Sequence, residues 1–146
     1  MSKPWLHLYH VEDDAGDRDL LQMAIRKTGF QIHLETAVDG EEAFHFLKKC
    51  SEPNLPQIIL LDLNLPRKDG RELLKDLKSH PRLKLIPVVI LTTSNAPTDI
   101  ETCYEQGAAC FLVKPIDFAG LTHMVTRLVE FWNSVELLPL TAKDRA

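Results

Sequence analysis

The chain has 146 residues, of which 45% are hydrophobic and 26% are charged, and its formal net charge is -4 at pH 7. The length suits one domain, and the longest apolar runs, near residues 58–61 and 88–91, are too short to span a bilayer. Because phosphate neutralisation supplies most nucleic-acid binding, the negative charge and the lack of a basic cluster exclude DNA from the expected partners.

The amino-terminal segment and the cysteines indicate the compartment. The first residues contain no apolar stretch long enough for a secretory signal, so we expect a cytoplasmic protein with no membrane attachment. Cys50, Cys103 and Cys110 form no C-x-x-C pair, and joining two of them would leave one over. We therefore expect three reduced, partly buried thiols.

Five short segments rich in leucine and β-branched residues alternate with amphipathic segments of helical length. The predicted strands are, in chain order, 5–11, 32–37, 57–61, 86–91 and 110–113. Apolar residues at helical spacing mark the first three helices, namely Leu20, Leu21, Ala24 and Ile25, then Ala43, Phe44 and Leu47, then Leu73, Leu74 and Leu77. This alternation is typical of an α/β fold with parallel strands and crossover helices.

The last two helices have predicted ends. Pro97 should open the fourth helix, Gly107 should cap its carboxyl end, and Asp117 should cap the fifth helix. We assign residues 1–139 to one domain that includes the fifth helix and the tail, and residues 140–146 to a flexible end.

Polar side chains follow four of the predicted strands, where an open parallel sheet binds its ligands. They are Glu12, Asp13 and Asp14 after the first strand, Asp62 after the third, Thr92 and Thr93 after the fourth, and Lys114 after the fifth. Converging carboxylates repel one another unless some are protonated or a cation lies among them. Oxygen ligands without clustered histidine or cysteine favour Mg²⁺, and a lysine and a threonine beside it suit phosphoryl transfer.

Five motifs resemble those of response-regulator receiver domains. They are the runs at residues 11–14 (VEDD), 60–66 (LLDLNLP), 68–70 (KDG), 87–92 (PVVILT) and 111–115 (FLVKP), and the resemblance covers residues 5 to about 133. It implies a flavodoxin-like (βα)5 receiver fold with strand order 2-1-3-4-5. It also implies a switch in a two-component phosphorelay and not an enzyme that turns over a separate substrate.

The resemblance assigns roles to individual residues. Asp62 would accept the phosphoryl group from a histidine kinase, and Lys114 and Thr92 would contact phosphoryl oxygens. Mg²⁺ would be bound by Asp13, Asp62, the Asn64 backbone carbonyl and, directly or through water, Glu12.

The resemblance also implies a switch made of Thr92 and Phe111, with the aromatic ring moving as the threonine shifts. Phe111 lacks the hydroxyl of a tyrosine, so only a steric switch is expected. The family usually has a cis bond before the proline that follows the lysine, here Pro115.

Several of these residues have simpler interpretations. Asp14 suits a helix cap as well as a site role, and Gly70 is a turn glycine by default. The histidines are scattered, and no second one stands at metal-ligand spacing from His10, which we interpret as structural.

Three alternative functions fit the residues at the strand ends less well. A haloacid-dehalogenase-type phosphatase or phosphotransferase usually needs an aspartate two residues after its nucleophile, where this chain has Asn64. A flavodoxin-like cofactor binder needs a hydroxyl-rich loop where this chain has carboxylates. A binding module independent of phosphorylation would not need Asp13, Asp62, Thr92 and Lys114 together.

A closer resemblance, in residues 62–72 and 131–139, is to single-domain regulators paired with bacterial and cyanobacterial phytochrome kinases. It implies such a kinase as partner. Because little sequence follows the receiver motifs, we expect no DNA-binding output domain, and output by contact with another protein, by dimerisation or by passing the phosphoryl group onward in a relay.

The fifth helix carries more apolar surface than one core needs. One stripe suffices to pack it on the sheet, namely Phe118, Leu121, Val125, Leu128 and Trp132. Met124, Phe131, Val135 and Leu138 lie on its flank, and related regulators dimerise in this region. We therefore expect a homodimer, with a tail that folds back over the flank as the alternative.

Overall fold

The five predicted strands form one parallel sheet in the order β2-β1-β3-β4-β5, with helices on both faces. The computed structural model describes residues 5–137, so Leu138 and the predicted end at 140–146 lie outside the described residues. The main elements are β1 (Leu6–Val11), α1 (Ala15–Thr28), β2 (Ile32–Ala37), α2 (Gly40–Lys49), β3 (Ile58–Leu61), α3 (Gly70–Ser79), β4 (Val88–Thr92), α4 (Pro97–Glu105), β5 (Cys110–Val113) and α5 (Phe118–Ser134). The predicted fold class and strand order are confirmed.

The sheet separates two apolar cores. On one face the strands pack against α1 and α5, through residues such as Leu21, Ile25 and Val125. On the other face they pack against α2, α3 and the buried Cys103 of α4. β1, β3 and β4 are buried along their whole length, because central parallel strands are covered on both faces.

Side chains and glycines fix the helix ends largely as the sequence predicts. Asp14 accepts a hydrogen bond from the Gly16 N–H and so caps α1, and Asp117 caps α5 by accepting from the Gly120 N–H at 2.7 Å. Pro97 is the first residue of α4, and Gly107, just past the end of that helix, has φ +96°, which favours glycine.

Cys50, Cys103 and Cys110 are free, as expected, and only Cys103 is fully buried. Within residues 5–137, no helix combines the length and the apolar character needed to cross a membrane.

The expected cis bond before Pro115 is wrong, because residues 5–137 contain no cis peptide bond. The Lys114 N–H donates to the Thr92 carbonyl at 2.7 Å, which extends the hydrogen bonding of β5 beyond its last residue. From this backbone position the Lys114 side chain reaches the carboxyl edge of the sheet, so its inward direction does not depend on a cis bond.

Candidate phosphoryl-acceptor and metal site

The sheet's own hydrogen bonds place the acidic residues at its carboxyl edge. The Glu12 N–H donates to the Ala37 carbonyl at 2.9 Å, and the Asp62 N–H donates to the Val11 carbonyl at 3.1 Å. Pairing therefore continues one residue past β1 and past β3. The backbone of Glu12 and of Asp62 is thus held by the sheet, whereas Asp13 lies in the loop that follows β1.

Glu12, Asp13 and Asp62 come together as the sequence predicts. One carboxylate oxygen from each lies within 4.8 Å of the others, with Glu12 and Asp62 buried and Asp13 exposed. Burial, reinforced by the Asp62 charge, raises the pKa of Glu12 to about 7. The candidate ligand atoms are all carboxylate oxygens, so the donor set fits a hard divalent cation, which would also relieve the repulsion among the carboxylates.

Lys114 faces this cluster from the end of β5. Its Nζ lies 2.5 Å from Glu12 Oε1, 3.0 Å from Asp17 Oδ2 and 3.4 Å from Asp62 Oδ2. Burial by itself lowers the pKa of Lys114, but the hydrogen bond to Glu12 and the two aspartates more than offset it, so the pKa lies above its ordinary value. A permanently charged ammonium therefore stands beside the Asp62 carboxylate.

Thr92 is the last residue of β4 and not the residue after it, and its side chain is fully buried at the strand next to β3. Its hydroxyl accepts a hydrogen bond from the Ser94 N–H at 3.4 Å. The Ser94 hydroxyl donates to Asp99 at 2.6 Å, and Asp99 in turn receives two hydrogen bonds from Arg71, at 2.8 and 2.9 Å. The loop beside Thr92 is thus attached to α3 and α4.

The loop after β3 folds tightly against Asp62. The Asn64 N–H donates to Asp62 Oδ1 at 3.4 Å, and the Gly70 N–H donates to the Leu63 carbonyl at 2.9 Å. A Cβ atom on Gly70 would lie 2.2 Å from the Asp62 carbonyl oxygen. Gly70 is therefore required for close backbone packing beneath the acceptor, which is more than the turn role expected from sequence.

Phe111 lies in β5, where its ring packs partly buried against the core that contains α2 and α3. Its N–H donates to the hydroxyl of Tyr104 on α4 at 3.2 Å. The aromatic ring therefore lies between the core and the surface. The steric switch predicted from the sequence requires a ring that can move between these two places.

Sequence reasoning missed Asp17 and the group of Arg71, Asp99 and Ser94. Asp17 lies in the first turn of α1, directly after the acidic loop, and that position was the available signal. Arg71 and Asp99 carry no local signal, because they belong to different helices. His10 is buried, and burial lowers its pKa to about 3, so this side chain is neutral at physiological pH.

Comparison with known proteins adds independent findings. The family model described as response regulator receiver domain matches residues 8–126. Response regulator Rcp1 of Synechocystis sp. is 40% identical over 132 residues, which span 88% of this chain and 90% of Rcp1.

Two solved structures of response regulators are also similar to this chain. The phosphorylated cyanobacterial phytochrome response regulator RcpA superposes with a TM-score of 0.84 at 39% identity, over 91% of this chain and 98% of RcpA. The Mn²⁺-bound form of Rcp1 superposes with a TM-score of 0.81 at 40% identity, over the same 91% and 98%.

Proposed function

This chain belongs to the response regulator receiver family of two-component signalling, and we propose that Asp62 is the residue that receives the phosphoryl group from a sensor histidine kinase. The observation that carries the proposal is the position of the Asp62 carboxylate, 3.4 Å from the Lys114 ammonium and within 4.8 Å of two further carboxylates. An aspartate attacks a phosphate well only where both negative charges are offset.

The acidic cluster would hold Mg²⁺. Its ligands would be Asp13, Asp62 and the Asn64 carbonyl, with Glu12 bound directly or through a water molecule. The oxygen-only donor set supports this assignment, as does the Mn²⁺-bound structure of the relative Rcp1. When bound, the ion supplies positive charge to the oxygens of the transferred group.

In the transfer step, a carboxylate oxygen of Asp62 forms a bond to phosphorus while the bond from phosphorus to the donor imidazole nitrogen breaks. Lys114 pairs with one phosphoryl oxygen, and Thr92 donates its hydroxyl to another. Hydrolysis of the resulting acyl phosphate by water is the only further reaction we propose, with Asn64 and Ser94 flanking the path of that water.

The signal would pass from Thr92 to Phe111. Movement of the buried Thr92 toward the phosphoryl group would free space beside β5, and the partly buried ring of Phe111 would fill it. The link from Phe111 to Tyr104 supports transmission to the surface of α4 and β5.

The relatives indicate the class of partner. Since RcpA is described as a phytochrome response regulator, we infer that the kinase is phytochrome-like and that the protein works in the cytoplasm. The net charge of -4 supports output through protein contacts and not through DNA.

Phosphotransfer profiling tests this proposal. Each purified histidine kinase of the same cell is autophosphorylated and mixed with the full chain, and loss of label from the kinase is followed over time. We expect fast transfer from a phytochrome-like kinase and none to Asp62→Asn. Rapid transfer to that variant would rule out Asp62 as the acceptor, and preference for an unrelated kinase would rule out the proposed partner.

We also propose a homodimer through α5 and its flank. Phe131 is 57% exposed, and its ring lies edge-on to Trp132, beside a groove of about 730 Å³ between α5 and the edge strand β5. Met124 packs partly against its own core and so adds less exposed surface than the sequence suggests, and Val135 is partly buried. Leu137 also packs on that core, yet Phe131 stays exposed, which favours a second copy as its cover.

A further inference from the structure

A second group of metal-binding side chains lies at the opposite end of the sheet from Asp62. His7 is the second residue of β1, His33 is the second residue of β2, and Glu35 is the fourth residue of β2. The parallel register sets His7 directly beside His33, and Glu35 follows two residues later, so all three side chains project from one face. The two histidines are far apart in sequence, which is why ligand spacing did not reveal them.

The ligand atoms of the three side chains converge. His7 Nε2 lies 2.7 Å from Glu35 Oε1, and His33 Nε2 lies 3.7 Å from the same oxygen. All three ligand atoms lie within 4.8 Å of one another, and the two imidazole rings meet edge to face at 4.7 Å. A simple ion pair would need only one imidazole beside Glu35. Here the Nε2 atoms of both histidines lie near the same carboxylate oxygen, as the ligands of one metal ion would.

The cluster is both supported and accessible. The His7 N–H donates to Gln57 Oε1 at 2.9 Å, and the Gln57 N–H donates to the His7 carbonyl at 2.9 Å, so the backbone of His7 is fixed on both sides. The His7 side chain is 10% exposed, Glu35 35% and His33 60%. They line a groove of about 570 Å³ that also contains Cys50, so an ion can enter from the His33 side.

We propose that His7, His33 and Glu35 bind one Zn²⁺ ion, with water completing its coordination. Two imidazole nitrogens and one carboxylate oxygen form a donor set that zinc uses, whereas Mg²⁺ prefers oxygen alone. Tetrahedral zinc requires ligand atoms roughly 3.3 Å apart. On binding, the distance of 2.7 Å between His7 Nε2 and Glu35 Oε1 would therefore lengthen slightly, and the longest distance between two ligand atoms would shorten. Rotations of the Glu35 and His33 side chains would allow both changes, since His33 is exposed.

The site would join β1 to the edge strand β2, and it would stabilise the fold by mass action. It is separate from the Mg²⁺ cluster at Glu12, Asp13 and Asp62, because the two lie at opposite ends of β1. The chain would thus hold two metals of different chemistry.

Calorimetric titration of the full, untagged chain with ZnCl₂ in millimolar Mg²⁺ tests the proposal. We expect one equivalent of Zn²⁺ to bind. His33→Ala and Glu35→Gln should each weaken binding at least tenfold, and Zn²⁺ should raise the unfolding temperature of the wild-type protein more than that of His33→Ala. His45→Gln, which removes an exposed histidine of α2, should bind as the wild type does, and Asp13→Ala should retain the Zn²⁺ site.

Absence of Zn²⁺ binding in excess Mg²⁺ would overturn the proposal. Unchanged binding by both His33→Ala and Glu35→Gln would overturn it as well, and so would loss of Zn²⁺ binding in Asp13→Ala. Because His33 is exposed, its replacement leaves the core intact, so weakened binding by that variant cannot be attributed to unfolding.

Discussion

The charge balance of the acidic cluster depends on Lys114. It contacts Glu12, Asp17 and Asp62 at once, and two of those carboxylates are buried. In the proposed transfer to Asp62, the phosphoryl group would bring further negative charge into the same small volume. The ammonium would then pair with a phosphoryl oxygen, so we assign Lys114 to the transfer step and not to metal binding.

Lys114→Ala separates these two roles. We expect the affinity for Mg²⁺, measured by calorimetry, to change only slightly, because Lys114 does not coordinate the ion. The rate of Asp62 phosphorylation from acetyl phosphate should fall about tenfold or more, since one stabilising group is lost from the transition state.

Lys75→Ala, which removes an exposed lysine of α3, is the matched control and should retain both properties. A Lys114→Ala protein that phosphorylates at the wild-type rate would contradict the assigned role.

Among the elements, α3 and α4 are joined by an ion pair beside the site. Arg71 of α3 holds Asp99 of α4 with two hydrogen bonds, and Ser94 adds a third from the loop after β4. The Arg71 hydrogen bonds, followed by that from Ser94, lower the pKa of Asp99 to about 2. The ion pair between Arg71 and Asp99 therefore holds α3 against α4, and the hydrogen bond from Ser94 holds the loop after β4 against both helices.

Asp99→Asn should destabilise the fold by about 1 kcal/mol at neutral pH, as expected for a partly exposed bidentate pair. In the unfolded chain Asp99 titrates near pH 4, and in the fold near pH 2, so its contribution is complete above about pH 4 and declines as the pH falls toward 2. Urea unfolding of both proteins from pH 7 to pH 3 measures this difference.

Asp19→Asn removes a carboxylate from the exposed side of α1 and should show almost no difference from wild type at any pH. If the gap between Asp99→Asn and wild type widened on acidification, the ion pair would not be its cause.

The sequence predicts the elements well because the hydrophobic period and the helix caps are local signals. Strand ends moved by at most two residues, as at Ile86 and Pro87, which precede β4. The edge of a parallel sheet then places Asp13, Asp62 and Lys114 together without further information.

The rest of the site depends on partners that distant parts of the chain supply. Asp17 joins the site only through Lys114, and Arg71 meets Asp99 only after α3 and α4 have packed. His7 and His33 become neighbours through strand register.

At the scale of the whole molecule, β5 and α5 form the face that the proposed dimer would bury. β5 is an edge strand with partly exposed side chains, and α5 exposes Phe131 beside it. The same strand carries Phe111, and Lys114 directly follows its last residue, so this face adjoins the proposed switch. The proposed dimer contact and the proposed phosphorylation site therefore adjoin, so each could influence the other.

Phe131→Glu should convert the dimer to monomer, because a charge would be buried in an apolar contact. Sedimentation velocity at tens of micromolar, with and without phosphorylation, measures the change. Leu85→Glu is the matched control, because Leu85 is 56% exposed and lies away from this face, and it should leave the dimer intact.

A second variant that ends near Glu130 should also be monomeric. A full-length protein that sediments as a monomer under both conditions would contradict the dimer, and a dimer insensitive to both changes would place the interface elsewhere.

The switch proposed for this molecule, set by a phosphoryl group on Asp62, has one direct test. The full chain is incubated with acetyl phosphate and Mg²⁺, and its intact mass is recorded over time. We expect a gain of one phosphoryl group that disappears in Asp62→Asn and when Mg²⁺ is chelated. A gain at the normal rate in Asp62→Asn, or one that chelation leaves unchanged, would contradict it.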